Sequence, residues 1–393
     1  MGALWPLVNS HRRFLMIGTP GDRRVILFQE ALARLGLPSA QLVSYQALIA
    51  CEVSLPDLIT PTTIVRIESP GKSVEMEHAL LSLGANEPDP EGERYERLSP
   101  STLAVLPHEK GRLLASRQWY LGFSALMRRL AEWVPDQQVM NRPADILLMF
   151  DKRRCHAFLD QRDISVPPAL PPVYSYDELM ASLQKRNWSR VFLKLAHGSS
   201  ASGTVAYRYS GNHHQAFTTV EVVEQTGELR LYNTRRIRKL ESRQEIAQVV
   251  NALCRQRVHV EQWLPKAGYG DRVFDFRVVV IGGQAMQTVA RLSHSPMTNL
   301  HLLNQRGDLP AILERIDPIR WQAARYTCER AALLLESLYT GIDLLFTANY
   351  QHYAILEMNA FGDLLPGLLY HDQDTYSTEI LAALKGHLPC SVP

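Results

Sequence analysis

The sequence lacks several features that would assign it to a special class of protein. Its 393 residues include five cysteines, which are far apart and never spaced as Cys-x-x-Cys, so neither a disulfide framework nor a zinc site is indicated. No apolar run approaches the ~18 residues needed to cross a bilayer. Residues 1–13 place their basic residues after the apolar stretch, the wrong order for a secretory signal. We therefore expect a cytoplasmic protein without a membrane partner.

The sequence also lacks a strong excess of either charge. Its 42 basic and 40 acidic residues leave a net charge of +2, which argues weakly against non-specific nucleic-acid binding. With 46% hydrophobic and 21% charged residues, the composition is that of an ordinary globular protein. At ~150 residues per packed unit, the chain is long enough for two or three units.

The first 140 residues alternate short apolar runs with helical periods. Residues 14–17 end in a Gly/Pro turn, and a helical period follows over residues 23–35. Residues 63–67 end in a second such turn before the helix-like stretch 74–83. Strand, turn and helix in repetition predict a parallel sheet covered by helices. Residues 1–140 are therefore predicted to be an α/β front domain.

After residue 141 the pattern changes to hairpins. Predicted strands 274–281 and 285–292 flank Gly282-Gly283, a strong signal for a tight turn. A last hairpin is predicted from strands 342–348 and 353–359. This part of the chain is predicted to be α+β with antiparallel sheets.

A lysine followed by a loop of small residues is the first candidate for chemistry. Lys194 lies at the end of an apolar strand, and residues 196–203 are almost all Gly, Ser and Ala. The ammonium group can neutralise polyphosphate charge while the backbone N–H groups approach closely. A flexible surface hairpin with a solvated lysine explains the same pattern.

The final hairpin carries three oxygen-bearing side chains. Glu357 and Asn359 are two residues apart and share one face of their strand. A connecting loop of odd length would place Asp343 opposite Asn359 on that face. Such a set suits Mg²⁺ that bridges phosphates. The alternative interpretation is that these are carboxylates of an edge strand whose hydrogen bonds are made within the protein.

Two weaker signals lie between these candidates. The stretch 258–265 can be a hinge whose backbone reads an adenine edge, although a plain core strand explains it as well. Arg277 and Arg291, on neighbouring strands, could bind developing phosphoryl charge. Arginines on strands are more often surface or ion-pair residues.

The order of these motifs resembles the ATP-grasp superfamily. The matching elements are Asp151-Lys152, Lys194 with its loop, Glu261 to Leu264, Asp275-x-Arg277, Arg291, Asn299-Leu300-His301, and Asp343 with Glu357-x-Asn359. The likeness is strongest to glutamate-adding peptide ligases, and the hinge is also similar to that of D-alanine–D-alanine ligases. It covers roughly residues 141–370.

The resemblance implies a fold and a set of roles. It implies a two-lobed ATP-grasp domain, with a small lobe at residues 141–258 and a C-terminal lobe at 259–393. The implied ATP-binding residues are Lys152, Lys194, Gly198, Ser199, Ser200, Gly203, Glu261, Gln262, Leu264 and, for the ribose, Asp271. Arg277 and Arg291 would be catalytic. Asp343, Glu357 and Asn359 would hold magnesium, as two ions. Substrate-binding candidates are Gly18, Thr19, Asn299 and His301.

The implied activity is the ATP-dependent joining of a carboxylate to an amine through an acyl phosphate, in a biosynthetic pathway. A small-molecule kinase and a non-catalytic nucleotide-binding partner of a biosynthetic assembly are the alternatives. The final motif continues as Ala360-Phe361-Gly362-Asp363, which departs from the common E-x-N-x-x-P-G. The sequence leaves open whether the substrate is a small molecule or a peptide, and it leaves the oligomeric state open.

Overall fold

The structure is a computed structural model that describes residues 11–71, 73–92, 95–107, 109–225 and 227–388. Within these ranges the chain forms one parallel and two antiparallel β-sheets with helices packed on them. The predicted fold class is confirmed. None of the helices in these ranges combines the length and the apolar character that a membrane crossing requires.

The front part of the chain is built on a parallel sheet with the strand order β2-β1-β3. Its elements are β1 (Arg13–Gly18), α1 (Arg23–Arg34), β2 (Gln41–Ser44), α2 (Tyr45–Ile49), β3 (Thr63–Ile67), α3 (Val74–Ala85), α4 (Pro100–Ala104) and α5 (Ser116–Trp133). β1 and β3 are almost entirely buried, as expected when both faces of a parallel sheet are covered. The short strand β2 buries only Val43, so its apolar pattern does not predict it.

The second sheet is antiparallel, in the order β7-β6-β5-β4-β8. This stretch contains α6 (Pro143–Phe150), α7 (Lys152–Asp160), α8 (Tyr176–Arg186), β4 (Arg190–Leu195), β5 (Val205–Ser210), β6 (His213–Gln225), β7 (Glu228–Leu240), α9 (Arg243–Cys254) and β8 (Val258–Gln262).

The third sheet is antiparallel, in the order β12-β11-β10-β13-β14, with β9 also paired to β10. Its elements are β9 (Gly268–Tyr269), β10 (Arg272–Ile281), β11 (Gln284–Ser293), β12 (Gln305–Arg306), α10 (Leu309–Leu313), α11 (Pro318–Leu333), β13 (Tyr339–Phe346), β14 (Tyr353–Asn359) and α12 (Thr375–Leu384). Gly282 and Gly283 both have positive φ, 56° and 79°, as the predicted tight turn requires.

Two sets of contacts cross the lobe limits expected from the sequence. The whole of β8 pairs with β4, with Gln262 opposite Val191, so the second sheet extends past the 258/259 limit to Gln262. Helices α6 and α7 contact β14 and contribute Ile146 and Leu159 to the hydrophobic core that contains the third sheet. Residues 141–160 therefore pack with the C-terminal lobe, because their apolar faces match that sheet.

The register of the final hairpin also differs from the expected one. Asp343 lies opposite Glu357, and Asn359 lies opposite Gly341. A bulge after this pair places Leu344 opposite Ile355, which leaves Leu356 as the extra residue. The sequence argument assumed a connecting loop of odd length and no bulge, whereas the strands pair from Phe346 and Tyr353, with residues 347–352 as the loop. The three oxygen-bearing side chains still share one face, because paired residues and residues two apart project to the same side.

A buried ionic cluster joins the front sheet to the C-terminal segment. Arg66 on β3 is 0% exposed and binds Glu68 at 2.6 Å, Asp363 at 2.5 Å and Glu379 of α12 at 2.6 Å. Arg24 also binds Asp363, at 2.6 Å. Two guanidinium groups thus face three carboxyl groups, and burial raises the pKa of Glu379 well above its usual range in spite of Arg66.

We expect Arg66→Leu to destabilise the protein by about 3–5 kcal/mol, since it leaves buried carboxyl groups without their cation. The matched change Glu379→Gln imitates a protonated glutamate. It should lower the free energy of unfolding by about 1 kcal/mol or less. Chemical denaturation of both variants and the wild type at pH 7 measures the difference. If the two variants lost equal amounts of unfolding free energy, this description of the cluster would be contradicted.

Candidate functional site

A cleft of about 790 Å³ lies between the second sheet, the third sheet and the front domain. This volume is in the range of small-molecule sites in proteins. The cleft brings together most of the residues that the sequence predicts: Lys152, Lys194, Gly198, Ser199, Ser200, Glu261, Gln262, Leu264, Arg277, Arg291, Asn299, His301, Asp343, Glu357 and Asn359.

One face of the third sheet supplies a cross-strand row that we call the carboxylate row: Arg277, Asp343 and Glu357, directly opposite one another on β10, β13 and β14. The Nε atom of Arg277 donates to Oδ1 of Asp343, and Arg291 Nη2 lies 3.0 Å from Oδ2. Burial by itself raises the pKa of Asp343, but the two arginines outweigh it and hold this pKa well below its usual range. Asp343 is therefore ionised.

A second row on the same face, which we call the arginine row, consists of Asp275, Arg291 and Arg306 on β10, β11 and β12. Asp275 and Arg277 are two residues apart on β10, so the two rows are adjacent. Arg291 Nε lies 2.7 Å from Asp275 Oδ1. Arg291 thus connects the rows, because it binds both Asp275 and Asp343.

The remaining two predicted metal ligands, Glu357 and Asn359, also line the cleft. Glu357 Oε1 lies 2.7 Å from the ammonium of Lys152, which also donates to the carbonyl oxygen of Gly198 at 2.6 Å. Asn359 donates its Nδ2 to Gly341 O at 3.2 Å, which leaves Oδ1 as an acceptor. Lys152 therefore joins the small-residue loop to the final hairpin.

Lys194 points from the second sheet towards this face. Its ammonium lies 2.5 Å from Glu261 Oε1, and His259 Nε2 lies 3.2 Å from Glu261 Oε2. Burial favours the neutral form of Glu261, but Lys194 first and His259 second lower its pKa to about 2. The carboxylate that the resemblance assigns to adenine is thus a buried partner of Lys194.

The hinge offers backbone rather than side-chain groups. The Gln262 amide donates to Pro168 O at 2.8 Å and is not open to a ligand. In the described part of the chain, the Leu264 amide has no hydrogen-bond partner. Apolar side chains line the same region of the cleft: Met149, Phe150, Phe192, Leu345 and the bulged Leu356. A flat aromatic ring with a hydrogen-bonding edge fits these surroundings.

The small-residue loop has a strained backbone. Ser200 and Ala201 have positive φ values of 57° and 56°. A Cβ on Gly198 would lie 2.9 Å from Ser202 O, so a larger residue would displace the loop. His301 Nε2 contacts the carbonyl oxygen of Ser200 from the facing segment. The loop therefore lies over the cleft between Lys152 and His301.

Four predicted residues do not line the cleft. Gly203 packs against Leu195 behind the loop. Gly18 and Thr19 lie behind the front-domain wall, where Thr19 Oγ1 donates to Pro70 O at 2.9 Å. Asp271, the expected ribose ligand, has a side chain that is 80% exposed outside the cleft. Asp271 follows β9 and the segment 265–270. Because this segment is long, the sequence alone does not determine which acidic residue would bind the ribose.

The sequence reasoning missed Lys266, which lines the cleft. Its ammonium lies 2.8 Å from Asp275 Oδ2 and donates to Thr298 Oγ1 at 2.6 Å. Burial lowers the pKa of Lys266, and Asp275 offsets this only in part. A lysine directly after the stretch 258–265 was the available signal, but no spacing rule connects it to Asp275 before the sheet is known.

No protein-family model matches this chain. No curated protein sequence is significantly similar to it. Solved structures do match along nearly the whole chain. The macrocyclase MdnC from Microcystis aeruginosa MRC, bound with precursor peptide MdnA, is 14% identical and has a TM-score of 0.51, over 95% of this chain and 99% of MdnC.

Two further structures are similar. The D-cycloserine synthetase DcsG is 14% identical with a TM-score of 0.51, over 94% of this chain and 98% of its own. The ATP-grasp ligase PsnB, complexed with minimal precursor, Mg and ADP, is 16% identical with a TM-score of 0.50, over 97% and 99%. The chain has the ATP-grasp fold.

The donor set at the final hairpin fits a hard cation such as the Mg with which PsnB is complexed. Among the described residues, no group of three or more His, Cys, Asp and Glu side chains could hold a metal by itself. Asp343, Glu357 and Asn359 supply two carboxylates and one amide oxygen instead. Magnesium usually takes one or two carboxylates and completes its shell with phosphate oxygens and water. Each oxygen of Asp343 can accept from an arginine and still bind a cation.

We expect Glu261→Gln to lower the pKa of Lys194. Burial lowers this pKa, while Glu261 is the main group that raises it. The measurement is an NMR titration of ¹³C-methylated lysines, with the Lys194 signal assigned by Lys194→Arg. Exposed Glu314→Gln in the C-terminal lobe is the control and should change nothing. An unchanged Lys194 titration in Glu261→Gln would contradict the pairing.

Proposed function

We propose that this chain is an ATP-dependent ligase that joins a carboxylate to an amine through an acyl phosphate. The observation that carries the proposal is the convergence of the carboxylate row and Lys194 on one cleft. Direct condensation of a carboxylate with an amine at neutral pH has a poor leaving group, and phosphorylation of the carboxylate provides a good one. A site for this reaction must mainly position charges and exclude water.

The residues present fit Mg²⁺ and ATP. Asp343, Glu357 and Asn359 would hold the metal, as two ions. Lys152 and Lys194 would contact the phosphates, and the Leu264 amide with the apolar wall would bind the adenine. ATP supplies the phosphoryl group that activates the substrate carboxylate.

The protein's own residues prepare the cleft for this transfer. Arg277 and Arg291 are held by Asp343 and Asp275, so their positive charge is fixed where an oxyanion would develop. Arg291 is only 5% exposed, and its interactions are therefore weakly screened by water. The loop 198–203 would cover the phosphates and keep water out.

Among the similar structures, MdnC is bound with a precursor peptide and PsnB with a minimal precursor, while DcsG is named as a D-cycloserine synthetase. We therefore propose a carboxylate on a peptide or an amino acid as the substrate, in a biosynthetic pathway.

The test is a screen of carboxylate and amine pairs for ADP and phosphate release, with hydroxylamine as the trapping amine. An acyl phosphate reacts with hydroxylamine to give a hydroxamate, so we expect carboxylate-dependent hydroxamate formation. A stable phosphorylated product would indicate a kinase and contradict the ligase. Absence of ATP turnover with every pair would favour a non-catalytic nucleotide-binding protein.

We expect Glu357→Gln to raise the Mg²⁺ concentration for half-maximal ATP binding at least ~10-fold, since a charged ligand is lost. Binding is measured by calorimetry over a series of Mg²⁺ concentrations. The control is Glu314→Gln, an exposed residue of the same lobe. Unchanged Mg²⁺ dependence in Glu357→Gln would refute the metal assignment.

A further inference from the structure

A group of buried polar and charged side chains lies next to Lys152 but outside the cleft. We call it the inner cluster; its members are Asp89, Glu91, Arg117, Asp151, His197 and Arg257. None of them is among the described residues that line the cleft. Arg117, Asp151, His197 and Arg257 are between 0% and 5% exposed. Burial of this many charges is costly, and the proposed reaction uses none of these side chains directly.

Arg117, on α5 of the front domain, is fixed by Asp89. Its Nε and Nη2 atoms donate to the two carboxyl oxygens of Asp89 at 3.0 and 2.5 Å, a bidentate geometry that sets the plane of the guanidinium group. The direction of the remaining nitrogen, Nη1, is therefore set as well. This nitrogen lies 3.2 Å from His197 Nε2 and 3.7 Å from Asp151 Oδ2. The front domain thus directs one guanidinium nitrogen at two residues of the ATP-grasp lobes.

His197 is a neutral acceptor for this nitrogen. Burial, to which Arg117 and Arg257 add, holds the pKa of His197 well below its usual range. A neutral imidazole that accepts at Nε2 carries its proton on Nδ1. The ring also stacks on Tyr120, with 4.0 Å between the ring centroids and 9° between the planes. His197 is therefore held both by its edge and by its face.

His197 leads directly into the small-residue loop. It precedes Gly198, whose carbonyl oxygen accepts from the Lys152 ammonium at 2.6 Å. The residue before it, Ala196, accepts from the Lys152 amide at 2.9 Å. Lys152 is thus bonded to both chain neighbours of His197. A displacement of His197 would move both of these acceptors.

Asp151 connects the inner cluster to Lys152 along the chain. It directly precedes Lys152, and its Oδ1 accepts from two amides in the first turn of α7, both at 3.1 Å, which caps that helix. Its Oδ2 has no hydrogen-bond partner among the described residues. Instead, Arg117 Nη1 and Arg257 Nη2 lie 3.7 and 3.8 Å away. Two guanidinium groups therefore surround the one oxygen that the helix cap does not use.

We propose that Arg117 is a positioning residue for ATP: through His197 and Asp151 it fixes the Lys152 ammonium and the start of the loop 198–203 where these meet the phosphates. The inference rests on the proposed ligase function. Arg117 itself does not touch the nucleotide, because it is buried outside the lining of the cleft. The front domain thereby sets how tightly the phosphates are held. Adenine binding at the hinge does not depend on Arg117.

The test compares a ligand that has phosphates with one that has none. ATP and adenosine, each with Mg²⁺, displace the fluorescent analogue mant-ATP from the protein, and their inhibition constants are measured. We expect Arg117→Gln to weaken ATP binding ~10-fold or more, since a displaced Lys152 loses charge-assisted contacts, and to leave adenosine binding unchanged. Arg128→Gln is the matched control. Arg128 is an exposed residue of the same helix that pairs with Glu87 of the front domain, and its replacement should change neither affinity.

A second pair of variants keeps the test decisive if loss of Arg117 destabilises the fold. His197→Phe retains an aromatic ring for stacking on Tyr120 and changes no charge, but it removes the acceptor for Arg117. His197→Gln keeps an acceptor. We expect His197→Phe to weaken ATP binding ~3-fold or more with adenosine unaffected, as loss of one hydrogen bond predicts, and His197→Gln to weaken it less.

Equal losses of ATP and adenosine affinity would mean that the inner cluster only supports the fold, and they would overturn the proposal. So would an effect of His197→Phe on ATP binding that is no larger than that of Arg128→Gln. A wild type that does not bind ATP would reject the proposed function and this proposal with it. Wild-type ATP binding that Arg117→Gln and His197→Phe both retain would reject the role of Arg117 alone.

Discussion

Charged side chains on one face of the third sheet can be buried only in pairs, and this constraint organises the cleft. An unpaired buried charge costs several kcal/mol, so each buried guanidinium must lie against a carboxylate. Asp275 and Asp343 meet this need for Arg277 and Arg291, and the antiparallel register places all four side by side. The arrangement leaves positive charge fixed beside two carboxylates. The positions of these charges are thus fixed by the sheet before any ligand is bound.

The same kind of pairing extends from the sheet to the surrounding segments. Lys152 binds both Glu357 and the carbonyl oxygen of Gly198, so the small-residue loop is connected to the final hairpin. Arg66 binds Glu68 and Asp363, which directly precede two segments that line the cleft, 69–71 and 364–366. A wall from the front domain and a wall from the C-terminal lobe are therefore positioned by one buried cation.

Patterns along the chain predict the fold and much of the site, but not the cross-strand relations. The apolar runs bounded by turn residues locate β3 and β14 correctly, and the Gly282-Gly283 turn is confirmed. The expected pairing of Asp343 with Asn359 is wrong mainly because the two strands already pair at Phe346 and Tyr353, and the bulge at Leu356 offsets this only in part. Neither the loop length nor the bulge can be read from side-chain alternation. Lys266 was missed for a related reason. Its significance depends on Asp275, which is its neighbour only through the sheet.

The most direct measurement is a crystal structure with a non-hydrolysable ATP analogue and Mn²⁺, in which anomalous scattering locates the metal independently of the protein model. The account requires the Mn²⁺ peak to lie between Asp343, Glu357 and Asn359, with the phosphate chain within reach of Lys152 and Lys194 and the adenine at the Leu264 amide. A nucleotide in this cleft with its metal held elsewhere, or a nucleotide outside the cleft, would contradict it.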